Sequence, residues 1–160
     1  GEALTSTGRE RLPSLFRKEG QRETMLSMIG LHPRVPLNPS GLEVGYWAPT
    51  PHAGRGYTTL GVKVITTYAF DKLGAERVQV MCDERNVASR RVIEKVGFLP
   101  EGVGSNLVQA PKREWVERGY EQSGRFPMYA LTPESFGRLP WLSDVRGRLR
   151  YLNALGHEVR

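Results

Sequence analysis

Apolar positions along the chain predict five strands. Two short apolar runs, residues 24–31 and 42–48, are typical of buried strands, and a proline-rich connection separates them. Residues 77–82 alternate between apolar and polar side chains, as the two faces of a strand do. Residues 102–109 and 126–131 are the remaining predicted strands. Most of the hydrophobic pattern therefore lies in the middle of the chain.

Helical spacing of apolar residues occurs in two segments that each follow a predicted strand. Over residues 58–73 the apolar positions recur at intervals of three and four, and Thr58 or Thr59 is expected to cap this helix. A second helix is expected to begin at Asn86 and to end at Gly97, a residue type that favours helix C-termini. The central order is therefore strand, turn, helix, strand, helix.

The two ends of the chain have a different character. Residues 1–23 are polar and rich in both charges, so we expect a charged arm there, with a short helix over Arg9–Lys18. Residues 24–131 form the expected main domain. Residues 132–160 are expected to be a basic helical extension, in which Thr132 starts one helix and a second helix runs from Ser143 to Gly156.

Composition limits the class of protein. The chain has 160 residues, enough for one domain with a real core, and no apolar run approaches the ~20 residues of a membrane span. The net charge of +6 favours phosphate-bearing partners, whether a nucleotide cofactor or RNA. A single cysteine, Cys82, indicates a reducing intracellular compartment, and its place in a strand predicts an inert core residue. The three histidines have no metal-ligand spacing, so no metal is expected.

A glycine-rich turn lies between the strand at residues 42–48 and the first helix. It contains Gly54, Arg55 and Gly56, followed by Tyr57 and Thr58. The first N–H groups of a helix have no intrahelical acceptors, and the helix dipole favours an anion beside them. A turn of this kind predicts a phosphate-binding site.

Three stretches together resemble the GCN5-related N-acetyltransferase superfamily, most closely the branch of ribosomal-protein N-terminal acetyltransferases. They are Glu43-Val44-Gly45-Tyr46-Trp47-Ala48-Pro49, Gly54-Arg55-Gly56-Tyr57, and Asn86-Val87-Ala88-Ser89-Arg90-Arg91-Val92 with Lys95-Val96-Gly97-Phe98. The resemblance covers residues 24–131. It implies an α/β fold in which helices flank a twisted mixed sheet whose two parallel strands splay apart.

The resemblance also implies acetyl-coenzyme A as cofactor, with its pantetheine arm between the splayed strands. The backbones of Trp47 and Ala48 would pair with that arm, and Asn86 would hydrogen-bond to it. The pyrophosphate would lie on the turn formed by Ala53, Gly54, Arg55, Gly56, Tyr57 and Thr58, with Ser89 close to the sulfur.

Two side chains are candidates for catalysis of acetyl transfer to an amine. Ser89 matches a serine that this branch places beside the sulfur, so it is a candidate acid for the leaving thiolate. Glu43 matches a carboxylate of the same strand and is a candidate base. Each also has a purely structural interpretation, since Ser89 and Glu43 are ordinary on a helix and a strand, and Asn86 is an ordinary helix cap.

Three departures from the family pattern keep other functions open. Ala53 stands where the family turn usually has Gln or Arg, Leu60 stands where this branch often has Glu, and the segment before Leu42 is short. The acceptor is therefore left open among a protein N-terminus, a side-chain amine and a small amine. One alternative is a structural subunit of an RNA–protein assembly such as a mitochondrial ribosome, docked through its basic tail, Arg138–Arg160. Another is a sensor that binds acetyl-coenzyme A without turnover. Cytoplasm and mitochondrion are both compatible with the sequence.

Overall fold

A computed structural model gives the fold for residues 2–6, 13–19, 21–33, 35, 37–47, 54–152, 155 and 157–158. The strands are β1 (Glu2–Ser6), β2 (Pro13–Glu19), β3 (Arg22–His32), β4 (Gly41–Trp47), β5 (Arg77–Met81), β6 (Leu99–Ser105) and β7 (Arg125–Leu131). The helices are α1 (Tyr57–Asp71), α2 (Val87–Val96), α3 (Arg113–Val116), α4 (Pro133–Gly137) and α5 (Leu142–Arg148).

The seven strands form one mixed sheet in the order β1-β2-β3-β4-β5-β7-β6. Only β4 and β5 are parallel, because α1 carries the chain back across the sheet between them. All the other neighbouring strands are antiparallel. The expected α/β fold with a mixed sheet and flanking helices is confirmed.

The parallel pair comes apart part of the way along its length. Its paired residues are Gly41 with Arg77, Leu42 with Val78, and Glu43 with Gln79. Beyond Glu43, β4 continues to Trp47 in register with β3, while β5 continues to Met81 in register with β7. The two strands therefore diverge after three residue pairs and leave an opening in the middle of the sheet.

One hydrophobic core lies on a single face of the sheet. Its most buried strand residues are Ile29, Val78 and Leu131, and α1 and α2 contribute Val62 and Ile93 against them. Helices α4 and α5 complete the same core, with their own buried apolar side chains. Helices α1 and α2 are therefore fixed by this core on the face of the sheet where the opening lies.

Three predicted helix positions are wrong, and two of them lie in the first half of the chain. Pro13–Lys18 of the expected N-terminal helix belong to β2, which pairs along β3. Arg9–Leu12 lie outside the described residues. The apolar spacing there suited a helix, but the available edge of β3 determines the structure. Neither Thr58 nor Thr59 caps α1, because the cap position is Gly56 in a left-handed conformation.

The C-terminal extension packs on the domain itself. Thr132 caps α4 as predicted, with a reciprocal pair of hydrogen bonds to Ser135. Helix α5 ends at Arg148 rather than Gly156, because Leu149 is extended. Leu142 and Val145 are buried in the core, and an ion pair joins Arg146 to Asp71 of α1 at 2.6 Å.

The segment predicted as a charged arm contributes β1 and β2 to the sheet. Within the part of the chain that the structure describes, no helix is both long and apolar enough to span a membrane.

Candidate functional site

The glycine-rich turn presents backbone at the start of α1. Gly54 and Gly56 have φ values of +76° and +80°, which favour glycine. A Cβ at either position would meet no atom within 4 Å, so the space beside the backbone is open. The first bond within the helix runs from Leu60 N to Gly56 O at 3.0 Å, so the earlier amides point out of the helix end.

The charge at this turn suits an anion. The first turn of α1 has no acidic residue, so the helix dipole is not offset there. Arg55 is exposed beside the turn and can add a cation. Thr58 lies in the first turn of the helix and faces Ser27 of β3, whereas Ala48 and Ala53 lie outside the described residues.

A serine hydroxyl ties the end of β4 to this turn. Ser27 Oγ donates a hydrogen bond to the carbonyl of Trp47 at 3.1 Å and lies 3.4 Å from Thr58 Oγ1. Ser27 is fully buried, so the tie is shielded from water. The Trp47 side chain is 60% exposed, which makes it a surface residue at the mouth of the opening rather than part of the core.

Tyr46 and Ser89 meet across the opening. The Tyr46 hydroxyl lies 2.7 Å from Ser89 Oγ and donates to the Ser89 carbonyl at 3.1 Å. Tyr46 belongs to the diverging part of β4, and Ser89 to the first turn of α2. Burial raises the pKa of Tyr46 above its ordinary value, so the phenol keeps its proton at neutral pH. No local sequence pattern marks this pair, because Tyr46 and its partner on α2 are 43 residues apart.

Asn86 fixes the position of Ser89. Its side-chain oxygen accepts a hydrogen bond from the Ser89 amide at 3.0 Å, which is the helix-cap geometry. The cap uses the amide oxygen, and the NH₂ group of the same side chain remains a suitable donor for a ligand carbonyl. Capping and ligand contact are therefore compatible at Asn86.

Glu43 lies on the opposite face of the sheet, at the point where β4 and β5 diverge. Its carboxylate is nearly buried and accepts a hydrogen bond from Gln79 Nε2 at 3.0 Å. His32 is directly across from Glu43 in the antiparallel register with β3. The His32 Nε2 atom is 3.6 Å from the position that a Cβ on Gly45 would take, so the imidazole leans along β4 toward the opening.

Gln79 and His32 are absent from the sequence-based candidates. Both become neighbours of Glu43 only through strand register, which residue patterns do not reveal. The candidate residues thus fall into three groups. The turn lies at the start of α1, Tyr46 with Ser89 lies on the helical face, and Glu43 lies on the other face.

Two further points concern the chemistry available at the site: the state of Cys82 and the capacity to bind a metal ion. Cys82 is a buried core residue as predicted, and burial raises the pKa of its thiol, which disfavours the reactive thiolate. Among the residues described, no group of three or more His, Cys, Asp or Glu side chains has a geometry suited to a metal ion.

Comparison with known proteins identifies a family that matches this chain. The model of the acetyltransferase (GNAT) domain matches residues 8–99. The putative ribosomal N-acetyltransferase YdaF of Bacillus subtilis is 37% identical over 79 residues, which are 49% of this chain and 43% of that protein. The chain therefore spans less than half the length of this relative.

Solved structures share the fold. The crystal structure of a probable acetyltransferase superposes with a TM-score of 0.61 at 27% identity, covering 77% of this chain and 61% of that one. Mycobacterium smegmatis RimJ in complex with CoA-disulfide superposes with a TM-score of 0.63 at 16% identity, covering 82% and 57%. At 16% identity the second likeness concerns the fold alone.

Proposed function

Because the chain belongs to the GNAT acetyltransferase family, we propose that it transfers an acetyl group from acetyl-coenzyme A to an amine. The observation that carries this proposal is the opening between β4 and β5, which has the glycine turn at one side and the Tyr46–Ser89 pair across it. The alternative of a structural subunit gains no support, since the described part of the basic tail packs on its own domain. A mitochondrial location gains none either.

The residues present fit acetyl-coenzyme A. The open space at Gly54 and Gly56 would receive the pyrophosphate, whose charge the turn amides and Arg55 would offset. The backbone of Trp47 lies where an extended pantetheine arm could pair with it, and the amide of Asn86 offers donors to the same arm. The cofactor supplies an activated thioester, and the protein supplies its position.

Ser89 and Tyr46 would act on the sulfur side of the reaction. The phenol of Tyr46 has one hydrogen, which can point to either oxygen of Ser89. When it points to Ser89 Oγ, the serine hydroxyl is free to donate its own hydrogen to a developing thiolate. Two hydroxyls in series thus stabilise the leaving group without an ionised residue.

Glu43 would act on the amine side, at the far face of the sheet. An amine must lose a proton to attack a thioester, and a carboxylate next to the opening can take that proton through one water. Gln79 holds the carboxylate in place, so Gln79 is a positioning residue. The acid and the base would then approach the reacting atoms from opposite faces.

Replacing Glu43 with Gln tests the proposed base. The amide keeps the size of the side chain, so we expect affinity for acetyl-coenzyme A to stay within about twofold while kcat falls on the order of tenfold. This loss is smaller than the 10²–10⁴ of a directly placed base, because water still provides a path for the proton. Glu76→Gln, an exposed carboxylate just before β5, is the matched control. An unchanged kcat in E43Q would remove Glu43 from the mechanism.

Among the possible acceptor amines, we propose a protein N-terminus. Side-chain amines and small amines are the alternatives. The similarity to a putative ribosomal N-acetyltransferase favours a ribosomal-protein N-terminus. A panel of N-terminal peptides, lysine peptides and polyamines would separate these classes.

The decisive experiment for the proposed function combines binding with turnover. Isothermal titration with acetyl-coenzyme A is expected to give micromolar affinity, and release of free thiol is expected when an accepted amine is added. Binding with no thiol release from any amine of the panel would favour the sensor. A folded protein without binding would overturn the proposal.

A further inference from the structure

A row of hydrogen-bonded side chains crosses the face of the sheet that lies opposite the core. It consists of Glu101 on β6, Arg77 and Gln79 on β5, and Glu43 on β4. Arg77 Nη1 donates to Glu101 Oε1 at 3.0 Å, and Arg77 Nε donates to Gln79 Oε1 at 3.2 Å. Gln79 Nε2 in turn donates to Glu43 Oε2 at 3.0 Å. The candidate base at the opening is therefore connected to a strand at the edge of the sheet.

Arg77 sets the direction of these hydrogen bonds. A guanidinium has only donors, whereas the amide of Gln79 has an acceptor at one end and a donor at the other. The oxygen of Gln79 must therefore face Arg77, which leaves its NH₂ group to face Glu43. If the amide turned over, two donors would meet at Arg77 and two acceptors at Glu43. Gln79 and Glu43 are only 6% and 8% exposed, so little water is available to satisfy groups mismatched in this way.

Glu101 holds Arg77 in place from the other side. The contact is forked, because Arg77 Nη2 also donates to Glu101 Oε2, and a fork fixes the plane of the guanidinium. The register of β6 with β7 shifts between Pro100 and Gly102, so Glu101 is the residue of a β-bulge. A bulge changes the direction of a side chain, and here the carboxylate meets Arg77 across β7. The hydrogen bonds from Arg77 hold the pKa of Glu101 below its usual range, so the pair is ionised at neutral pH.

One carboxylate oxygen of Glu43 remains available. Oε2 is occupied by Gln79, whereas none of the residues that the structure describes donates a hydrogen bond to Oε1. Glu43 also belongs to the last residue pair before β4 and β5 diverge. A carboxylate with one oxygen held and the other available can accept a proton at a fixed place.

We propose that Arg77 is a positioning residue for acetyl transfer, which orients Glu43 through Gln79 and leaves Glu43 Oε1 to receive the proton of the attacking amine through one water. The inference rests on the proposed function, because it takes Glu43 to be the base. The nitrogen keeps its electron pair to form the amide bond, and the thiolate leaves with the electrons of the carbon–sulfur bond. Arg77 pairs with Gly41, two positions before the strands diverge, so it acts without touching either substrate.

Replacing Arg77 with Leu tests this inference in two backgrounds. In the otherwise unaltered protein, R77L is expected to lower kcat on the order of fivefold, because the Gln79 amide can then turn over and the base loses its fixed orientation. The KM for acetyl-coenzyme A should stay within about twofold, since no cofactor contact is removed. In an E43Q background the same change should cause no further loss of kcat, because Arg77 acts only through Glu43. A purely structural role would lower kcat by the same factor in both backgrounds.

Arg146→Leu is the matched control. Arg146 also donates two hydrogen bonds to a single carboxylate, that of Asp71 at the end of α1. R146L therefore removes an equivalent forked pair from the other face of the sheet. It should lose a similar amount of stability in urea unfolding and keep the kcat of the unaltered protein.

Glu101→Leu repeats the test if R77L does not fold, since Glu101 is 44% exposed and lies on the edge strand. It removes the carboxylate that holds Arg77, so kcat should again fall in the unaltered background and not in E43Q. If E43Q is slow but the kcat of the folded variant is unchanged, or falls equally in both backgrounds, the inference is overturned and the proposed base stands. An unchanged kcat in E43Q would overturn the proposed base and this inference together.

Discussion

A Gly56→Val variant is expected to lose affinity for acetyl-coenzyme A by at least roughly 100-fold, or about 2.8 kcal/mol. Gly56 caps α1 with a φ of +80°, a conformation that a β-branched residue avoids. The space where the new side chain would begin is open in the structure, and it is the space assigned to the pyrophosphate. The side chain would therefore displace the ligand, and the strained backbone would turn the nearby amides away from it.

The Gly74→Val variant is the control for Gly56→Val, because it introduces the same backbone strain at the other end of α1, away from the glycine-rich turn. Gly74 follows the other end of α1 with a φ of +64° and equally open surroundings, roughly 25 Å along the helix from Gly56. Both variants should lose similar stability in urea unfolding, but G74V should bind acetyl-coenzyme A normally in calorimetry. Tight binding by a folded G56V protein would show that the turn does not hold the pyrophosphate.

A Ser89→Ala variant is expected to lower kcat on the order of 100-fold while affinity for acetyl-coenzyme A stays within about threefold. The hydroxyl would contribute only when charge develops on the sulfur, so its removal affects the rate rather than binding. The backbone of α2 should be unaffected, because Asn86 bonds to the amide of residue 89 and not to its side chain. Single-turnover thiol release with saturating amine measures this directly.

Tyr46→Phe provides the companion measurement. If the two hydroxyls act in series, Y46F should also lower kcat, and the double variant should be little worse than S89A alone. Independent, multiplicative losses would mean that the hydroxyls do not work as a unit. A kcat for S89A equal to that of the unaltered protein would exclude Ser89 from the chemistry.

Strong local patterns predicted the centre of the fold well. The second helix was predicted to begin at Asn86 and end at Gly97, and both positions have the expected cap geometry. The strand predicted over residues 77–82 is β5, although the alternation suggested one buried face only. Gln79 is buried as well, because β5 is a central strand. Local signals cannot reveal how many neighbours a strand has.

The errors have the same origin. The residues around Leu15 and Phe16 have helical spacing, yet they pair with β3 because an extended partner was available. The glycine turn itself was found from its residue types. The contact between Tyr46 and Ser89 and the place of His32 beside Glu43 depend on how β3, β4 and α2 come together. Tertiary pairing, not composition, created these parts of the candidate site.

The divergence of β4 from β5 has a consequence for solubility and folding. It leaves two strand edges facing each other inside the sheet, with no strand between them among the described residues. Such edges are templates for any extended chain, and proteins usually protect them. The pantetheine arm of acetyl-coenzyme A has amide groups at peptide-like spacing, so it would fill the opening between β4 and β5 as a short strand does. Cofactor binding would then be a form of β-augmentation. On the proposed function, acetyl-coenzyme A would cover these two edges, and the protein without it would leave them available for pairing with another extended chain.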